Sequence, residues 1–445
     1  MVSASGIHSN DGVETLAPGH AQRLIAFIDA SPSPYHAAAT AADRLASAGF
    51  AECPPGAPLP GPGRNYALVG GSLVAWVAPE RVGPSTRARL VGAHTDSPNL
   101  RVKPNPDLVK AGFRQLGVEV YGGALLNSWL DRDLGLSGRV VVRAGDGAGG
   151  SETRMLRIDA PLLRVPQLAI HLDREINEKG LLLNRQQHLA PIWALEDDDP
   201  ETGFVQLLAD ELKVEAADVL AWDVMAHPVE PSRIVGAGGA FVSAPRIDNQ
   251  LSCYAGTEAI AGAEARPDRV AVLALFDHEE VGSASDRGAD GAFLASVLER
   301  VWLACGGGRA EYLSALANGS CVSADCAHAT NPNYADRHEP AHTIALNAGP
   351  VLKVNANQRY ATNAETAAIF AAACDAADVP LQRFVNRTDL ACGSTIGPLT
   401  AAALGIPTVD VGAPQLAMHS ARELAGSRDV GHLVAALEAY YAMPA

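Results

Sequence analysis

Val272-Leu-Ala-Leu-Phe276-Asp277-His278-Glu279-Glu280 is an apolar run of strand length that passes without a break into four polar residues. A short, continuous apolar run reads as a strand buried on both faces, as in a sheet covered by helices on each side. In such sheets ligands bind beyond the carboxyl ends of the strands. The same grammar recurs elsewhere in the chain. Leu90-Val-Gly-Ala-His94-Thr-Asp96 ends in His94, Cys321-Val-Ser-Ala-Asp325 ends in Asp325, and Thr408-Val-Asp-Val411 leads through a loop to His419. Asp248, in Pro245-Arg-Ile-Asp248-Asn249, stands just before the helical run Leu251–Ala259. Separated segments can therefore bring metal-binding side chains to one crevice.

Singly, each of these residues has an ordinary reading: a helix cap for Asp248, a solvated helix start for the Glu pair. Together, two imidazoles and three carboxylates, one of them shared, suit a pair of zinc ions roughly 3.5–4 Å apart. An oxygen-only ion such as Mg²⁺ would not call for the imidazoles. Adjacent Glu279 and Glu280 offer one ligand and one base for an attacking water. Asp96, two residues past His94, is placed to hold that imidazole from behind.

Working outward, Leu24, Phe27 and Ile28 recur at helical spacing, and an Ala-rich helix follows from Tyr35 to Gly49. Cys53 to Arg64 is a Pro/Gly-rich loop, and strands are expected at 66–69, 72–77 and 89–93. After Pro98 the texture changes to short β-like runs, 138–143, 153–158 and 168–172, split by Gly, Pro and acidic loops such as Asp197-Asp198-Asp199-Pro200. From about residue 236 apolar runs at 270–276, 320–324, 344–346 and 408–411 alternate with Ala-rich helices. The expected fold is α/β: a discontinuous catalytic domain, 1–99 and 233–445, with a central mixed sheet flanked by helices, around an inserted β-rich domain, 100–232. Gly145-Asp-Gly147-Ala-Gly-Gly150 fits a dinucleotide-binding pattern, but the residues after it read as a strand where that motif needs a helix, so it is read as a hairpin tip.

Composition narrows the function. Nearly half of the residues, 48%, are apolar and 19% are charged, enough for a large core. No apolar stretch reaches the roughly 18 residues of a membrane span, and Met1–Gly19 lacks the basic and apolar parts of a secretory signal. Seven scattered cysteines without a CxxC pair suit a reducing compartment, so a cytoplasmic protein is expected. A net charge of −16 argues against nucleic acid or an anionic membrane as the main partner. An acidic substrate would have to be selected by local cations.

The motifs also match a family. Gly92-Ala-His-Thr-Asp-Ser-Pro98, Asp131-Arg-Asp-Leu134, Leu168-Ala-Ile-His-Leu-Asp-Arg174, Pro245-Arg-Ile-Asp-Asn249, Asp277-His-Glu-Glu-Val-Gly-Ser283, Ser323-Ala-Asp325 with Ala327-His-Ala329, and Met418-His-Ser420 occur in that order. In these the chain resembles, over almost its whole length, the aspartyl aminopeptidases, two-zinc exopeptidases that remove N-terminal Asp and Glu from peptides. The resemblance implies that His94 and Asp325 hold one zinc and Glu280 and His419 the other, with Asp248 bridging. Mn²⁺ or Co²⁺ could substitute. Glu279 would be general base and then general acid, and a cis peptide is expected at Asp248–Asn249, as in related two-metal peptidases. Lys353, the only lysine after residue 213, would pair with the acidic side chain of the substrate, with His328 and Tyr360 as further pocket groups. The inserted domain corresponds to the family's assembly domain, so a tetrahedral homo-dodecamer is implied. His171, expected on a strand with Leu168, Ile170 and Leu172 on its other face, would then reach a neighbour's site and donate to the oxyanion. His278 departs from the family, which commonly has a smaller polar residue there. The competing reading is a related tetrahedral two-metal aminopeptidase with a different N-terminal preference.

Overall fold

All eight residues of the strand Arg269–Phe276 are buried. Their alternation explains how. Ala271, Leu273 and Leu275 pack into one apolar cluster, whereas Val270, Val272, Ala274 and Phe276 pack into a second on the opposite face. The first cluster is completed by the helices Pro18–Ala30, Pro34–Ser47, Ile247–Gly262, Ala364–Ala376 and Asp429–Ala442; the second by Phe293–Ala304, Arg309–Ala317 and Ile396–Leu404. A strand covered on both sides is apolar wherever no polar partner is supplied, which is why the run after Arg269 reads as continuous. The computed structural model describes residues 18–54, 56–144, 150–197 and 203–444.

Among the described residues this strand lies in a nine-stranded mixed sheet. Its order is Ala51–Glu52, Gly63–Val69, Ser72–Ala78, Arg269–Phe276, Arg87–His94, Ser320–Ala324, Thr408–Gly412, Val351–Val354, Gln382–Val385. The four strands from Arg269–Phe276 to Thr408–Gly412 run parallel. Their register pairs Phe276 with His94 and Gly92 with Ser323, so His94, Asp277 and Asp325 leave the sheet at nearly the same level. Val351–Val354 is antiparallel to its neighbour Thr408–Gly412 and carries Lys353 inward from the far side. Topology thus delivers to one edge what the sequence keeps apart.

Strands between Asn99 and Pro228 form a separate antiparallel six-stranded sheet with its own core around Leu100, Leu136, Val140, Leu156 and Phe204. A five-stranded sheet of Arg233–Val235, Phe241–Ala244, Glu423–Gly426, Pro414–Leu416 and Ala327–His328 closes over the carboxyl edge of the large one. The glycine-rich stretch joins Leu134–Arg143 to its antiparallel partner Ser151–Leu163; residues 145–149 themselves lie outside the described residues, as do 198–200 of the acidic break and 1–17 of the N-terminus.

Two expected strands are absent among the described residues. Residues 168–172 form a turn, with Leu172 N–H donating to Ala169 O, and Leu168, Ile170 and Leu172 are 57%, 47% and 75% exposed. The chain leaves its sheet at Pro166, and an alternating segment with no strand beside it has nowhere to bond. Ile344–Leu346 is likewise irregular; the strand of that region is Val351–Val354. Ile344 is buried from a loop, so burial there mimicked a strand signal.

One close approach is testable. Gly412 lies against the backbone that follows Ser320–Ala324, where a Cβ would stand 1.7 Å from Asp325 O. Gly412→Ala should destabilise the fold by about 1–3 kcal/mol, the usual range for overpacking, read from urea unfolding.

Candidate metal centre

His94 is the last residue of its strand, and its Nδ1 donates to the backbone oxygen of Asp96 at 2.9 Å. A carbonyl can only accept, so Nδ1 carries a proton and Nε2 is the ring nitrogen that faces the cleft. Nε2 lies 3.3 Å from Asp248 Oδ1, 3.6 Å from Asp325 Oδ1 and 3.9 Å from Glu279 Oε2. His419 is oriented in the same way, Nδ1 donating to Gly123 O at 3.1 Å. Its Nε2 lies 3.2 Å from Glu280 Oε1 and 3.6 Å from Asp248 Oδ2. The two oxygens of Asp248 therefore face two different imidazoles, with Asp325 on one side and Glu280 on the other.

Each side chain is held locally. The Asp248–Asn249 peptide is cis, as expected. Ser97 Oγ donates to Asp248 O at 2.6 Å, and Asn249 Nδ2 donates to Ala324 O at 2.8 Å. His278, in the left-handed region at φ 69°, turns the chain so that Glu279 and Glu280 start a short 3₁₀ turn. Both of their N–H groups donate to Asp96, one to each oxygen at 3.1 Å, and Tyr121 O–H donates to Oδ2 at 2.7 Å. The expectation for Asp96 thus needs amending. The strand stops at His94, and it is mainly the Asp96 carbonyl that orients the imidazole, while the carboxylate anchors the Glu pair.

Glu423 was not among the residues singled out from the sequence. It is 2% exposed and takes the N–H of Asp248 at 3.0 Å and of His419 at 2.7 Å. Its only signal was an acidic residue opening an otherwise apolar strand, which no spacing rule marks.

So many carboxylates in one buried space shift one another. Burial pushes His94 down, but Glu279, Asp248, Asp325 and Asp96 outweigh it and hold the imidazole well above its ordinary value. Burial opposes protonation of His419 too, yet Glu280 and Asp248 lift it to about 10. Glu279 is raised to about 8 by burial, reinforced by Asp325 and Glu280 against the pull of His94. Asp325 resists burial because Lys353 and His94 keep it below the carboxylate range. The carboxylates of the centre outnumber the cationic groups beside them. Asp248 Oδ1 and Glu280 Oε1 are buried, with an imidazole nitrogen 3.3 Å away at His94 and 3.2 Å away at His419 respectively, and the donor atoms of His94, Asp248 and Glu280 all lie within 4.8 Å of one another. Mixed nitrogen and oxygen donors around these buried oxygens fit zinc.

The centre opens into a cleft of about 560 Å³, with Lys353, His328 and Tyr360 in its wall. Lys353 is 3% exposed, its Nζ 3.8 Å from Asp325 Oδ2 and 5.4 Å from the centre of the Tyr360 ring. His328 is edge-on to Phe384 at 6.1 Å. His171 is the one candidate that the chain does not bring to the centre; it lies in the exposed turn after Pro166.

Fold and site define a metal-dependent hydrolase built on a helix-covered α/β sheet. The sequence pattern of the family described as "Aminopeptidase I zinc metalloprotease (M18)" matches residues 27–441, and the chain belongs to that family. It is 54% identical to the "Probable M18 family aminopeptidase 2" of Mycobacterium leprae over 425 residues, 95% of this chain and 99% of the relative. Among solved structures it is similar to the "Cryo-EM structure of the Ape4 and Nbr1 complex", at TM-score 0.90 and 36% identity, covering 95% of this chain and 85% of that one. The "Structure of S. cerevesiae mApe1 dodecamer" gives 0.81 and 26%, covering 95% and 96%. The protein is a zinc aminopeptidase.

Metal ligation needs neutral imidazoles, so loading must release protons. Between pH 7 and about 10, where His419 is charged in the metal-free protein, apparent zinc affinity should rise with pH. Calorimetry at pH 7.5 in buffers of different ionisation enthalpy should read net proton release on zinc binding; its absence would contradict the charge state derived for His94 and His419.

Proposed function

We propose that this chain is a two-zinc aminopeptidase that removes acidic N-terminal residues, Asp and Glu, from peptides. The observation that carries the metal count is the division of Asp248 between two imidazoles, Oδ1 toward His94 and Oδ2 toward His419. One ion would take His94 and Asp325, the other Glu280 and His419, with Asp248 shared. Zinc at these positions would supply Lewis acidity for the scissile carbonyl and acidify water, and Mn²⁺ or Co²⁺ could substitute. Glu279 lies at the cleft side of His94 without a place in either ligand set, so it takes the proton of the attacking water and returns it to the leaving amine.

The acidic preference rests on Lys353. A lysine this buried in the cleft wall, beside Tyr360 and His328, offers a substrate carboxylate a charge-assisted partner away from water. A second reading has support from one distance. Lys353 Nζ is 3.8 Å from Asp325 Oδ2 and could serve only to orient that ligand, leaving an M18 aminopeptidase with a different N-terminal preference. A panel of aminoacyl p-nitroanilides separates the two. Lys353→Met should lose activity on Asp and Glu by the equivalent of about 3–5 kcal/mol, the cost of an unpaired buried charge, while Leu and Ala are spared. Equal losses on all substrates would leave the second reading.

The segment 100–232 is taken as the assembly domain of a homo-oligomer, a tetrahedral dodecamer; the similar yeast aminopeptidase is itself described as a dodecamer, which supports that size. The exposed turn bearing Leu168, Ile170 and Leu172, with Leu182 at 91% exposure nearby, suits a surface that another chain covers. His171 in that turn would then donate to the oxyanion in a neighbour's cleft. The cysteines, all free among the described residues, accord with a cytoplasmic setting. Zinc analysis should approach two equivalents per chain in the wild type and in both Glu279→Gln and His171→Ala. The first should lose about 10²–10⁴ in kcat and the second about 10²–10³. Co-expressing the two variants creates sites with Glu279 from one chain and His171 from another. Activity well above both parents supports sharing, and no recovery in verified mixed oligomers refutes it.

A further inference from the structure

Glu423 opens the strand Glu423–Gly426, its backbone pairing with Ala244 of the strand that leads into Asp248. Its carboxylate is buried and forms no ion pair among the described residues. A chain rarely places a carboxylate in such a position without neutralising it, unless backbone donors replace water. Here they do, one for each oxygen: Oε2 accepts from Asp248 N–H and Oε1 from His419 N–H. Those two amides belong to the residues whose side chains enclose one half of the centre together with Glu280. One rigid group therefore spans the helix start that carries Asp248 and the left-handed turn, φ 66° at His419, that carries the imidazole.

The other half stands apart from this clamp. His94 and Asp325 follow adjacent parallel strands, and their orientation comes from Asp96 O and from the pairing of Asp325 N–H with Val411 O. Asp248 keeps two other anchors, Ser97 on its carbonyl and Asn249 on the backbone of Ala324. Loss of the Glu423 clamp is thus expected to act on the separation of Asp248 Oδ2 from His419 Nε2 more than on the His94 side.

We propose that Glu423 is a positioning residue for the His419 half of the centre, fixing the bridging carboxylate and the imidazole at the separation that holds the second ion. This rests on the two-zinc reading. Glu423→Gln keeps size and shape but turns one acceptor into an NH₂ group facing an N–H. In competition with a chromophoric chelator, the wild type should show two zinc sites. The variant should keep one near wild-type affinity and weaken the other by about 10–100-fold, the usual effect of losing such a support. The thermal unfolding of the metal-free variant should stay near that of the metal-free wild type, which a merely structural role would not allow. Two sites of unchanged affinity in the variant, or equal weakening of both together with a lowered metal-free melting temperature, would overturn the proposal. A wild type with a single site would instead remove the two-zinc reading beneath it. Should Glu423→Gln not fold, Glu423→Asp keeps the charge but is too short to reach both amides, and the same titration decides.

Discussion

Asp248, Glu279, Glu280 and Asp325 crowd around two imidazoles in a space largely closed to water, and that crowding governs the rest of the molecule. Like charges at this distance and burial raise one another's proton affinity. In the chain itself His94, His419 and Lys353 offset part of this field, and Glu279 is pushed toward its protonated form. Metal cations in place of those protons would satisfy the same field, and on the proposed reading would leave Glu279 as the carboxylate that moves a proton. An arrangement unfavourable as a protein interior is for that reason suitable as a metal centre.

Keeping such a cluster in place requires a stiff support. The four parallel strands beneath it are covered on both faces, so their ends cannot relax without disturbing two packed layers. Above them, hydrogen bonds hold the candidate ligands in place: Asp96 and Tyr121 behind the Glu pair, Glu423 between Asp248 and His419. Hydrogen bonds of this kind orient ligands and tune the metal.

The six-stranded sheet is not a bystander to this centre. Tyr121 ends one of its strands, Gly123 O accepts from His419 Nδ1, and Leu125 N–H donates to His419 O. A Cβ on Gly122 would stand 3.1 Å from Glu280 Cβ, and one on Gly123 3.1 Å from His419 Nδ1, so glycine lets this connection press against two residues of the candidate centre at once. That sheet is therefore in direct contact with the candidate centre.

The apolar strands and the polar residues that end them are legible in the chain before it folds, because a run buried on both faces rarely carries a charge except near its ends. His94, Asp325 and the Glu pair could be read for that reason, and with them the α/β class. Asp248, before a helical run, and His419, after a loop, were read with them, and the family resemblance then added Lys353. Alternation misled at Leu168–Leu172, where the pattern of a strand has no partner to pair with, and burial misled at Ile344. Glu423 and the division of labour at Asp96 emerge only once the chain is folded. Their roles are made of contacts between a side chain and the backbone of residues far away in sequence, and backbone amides look the same at every position of a chain.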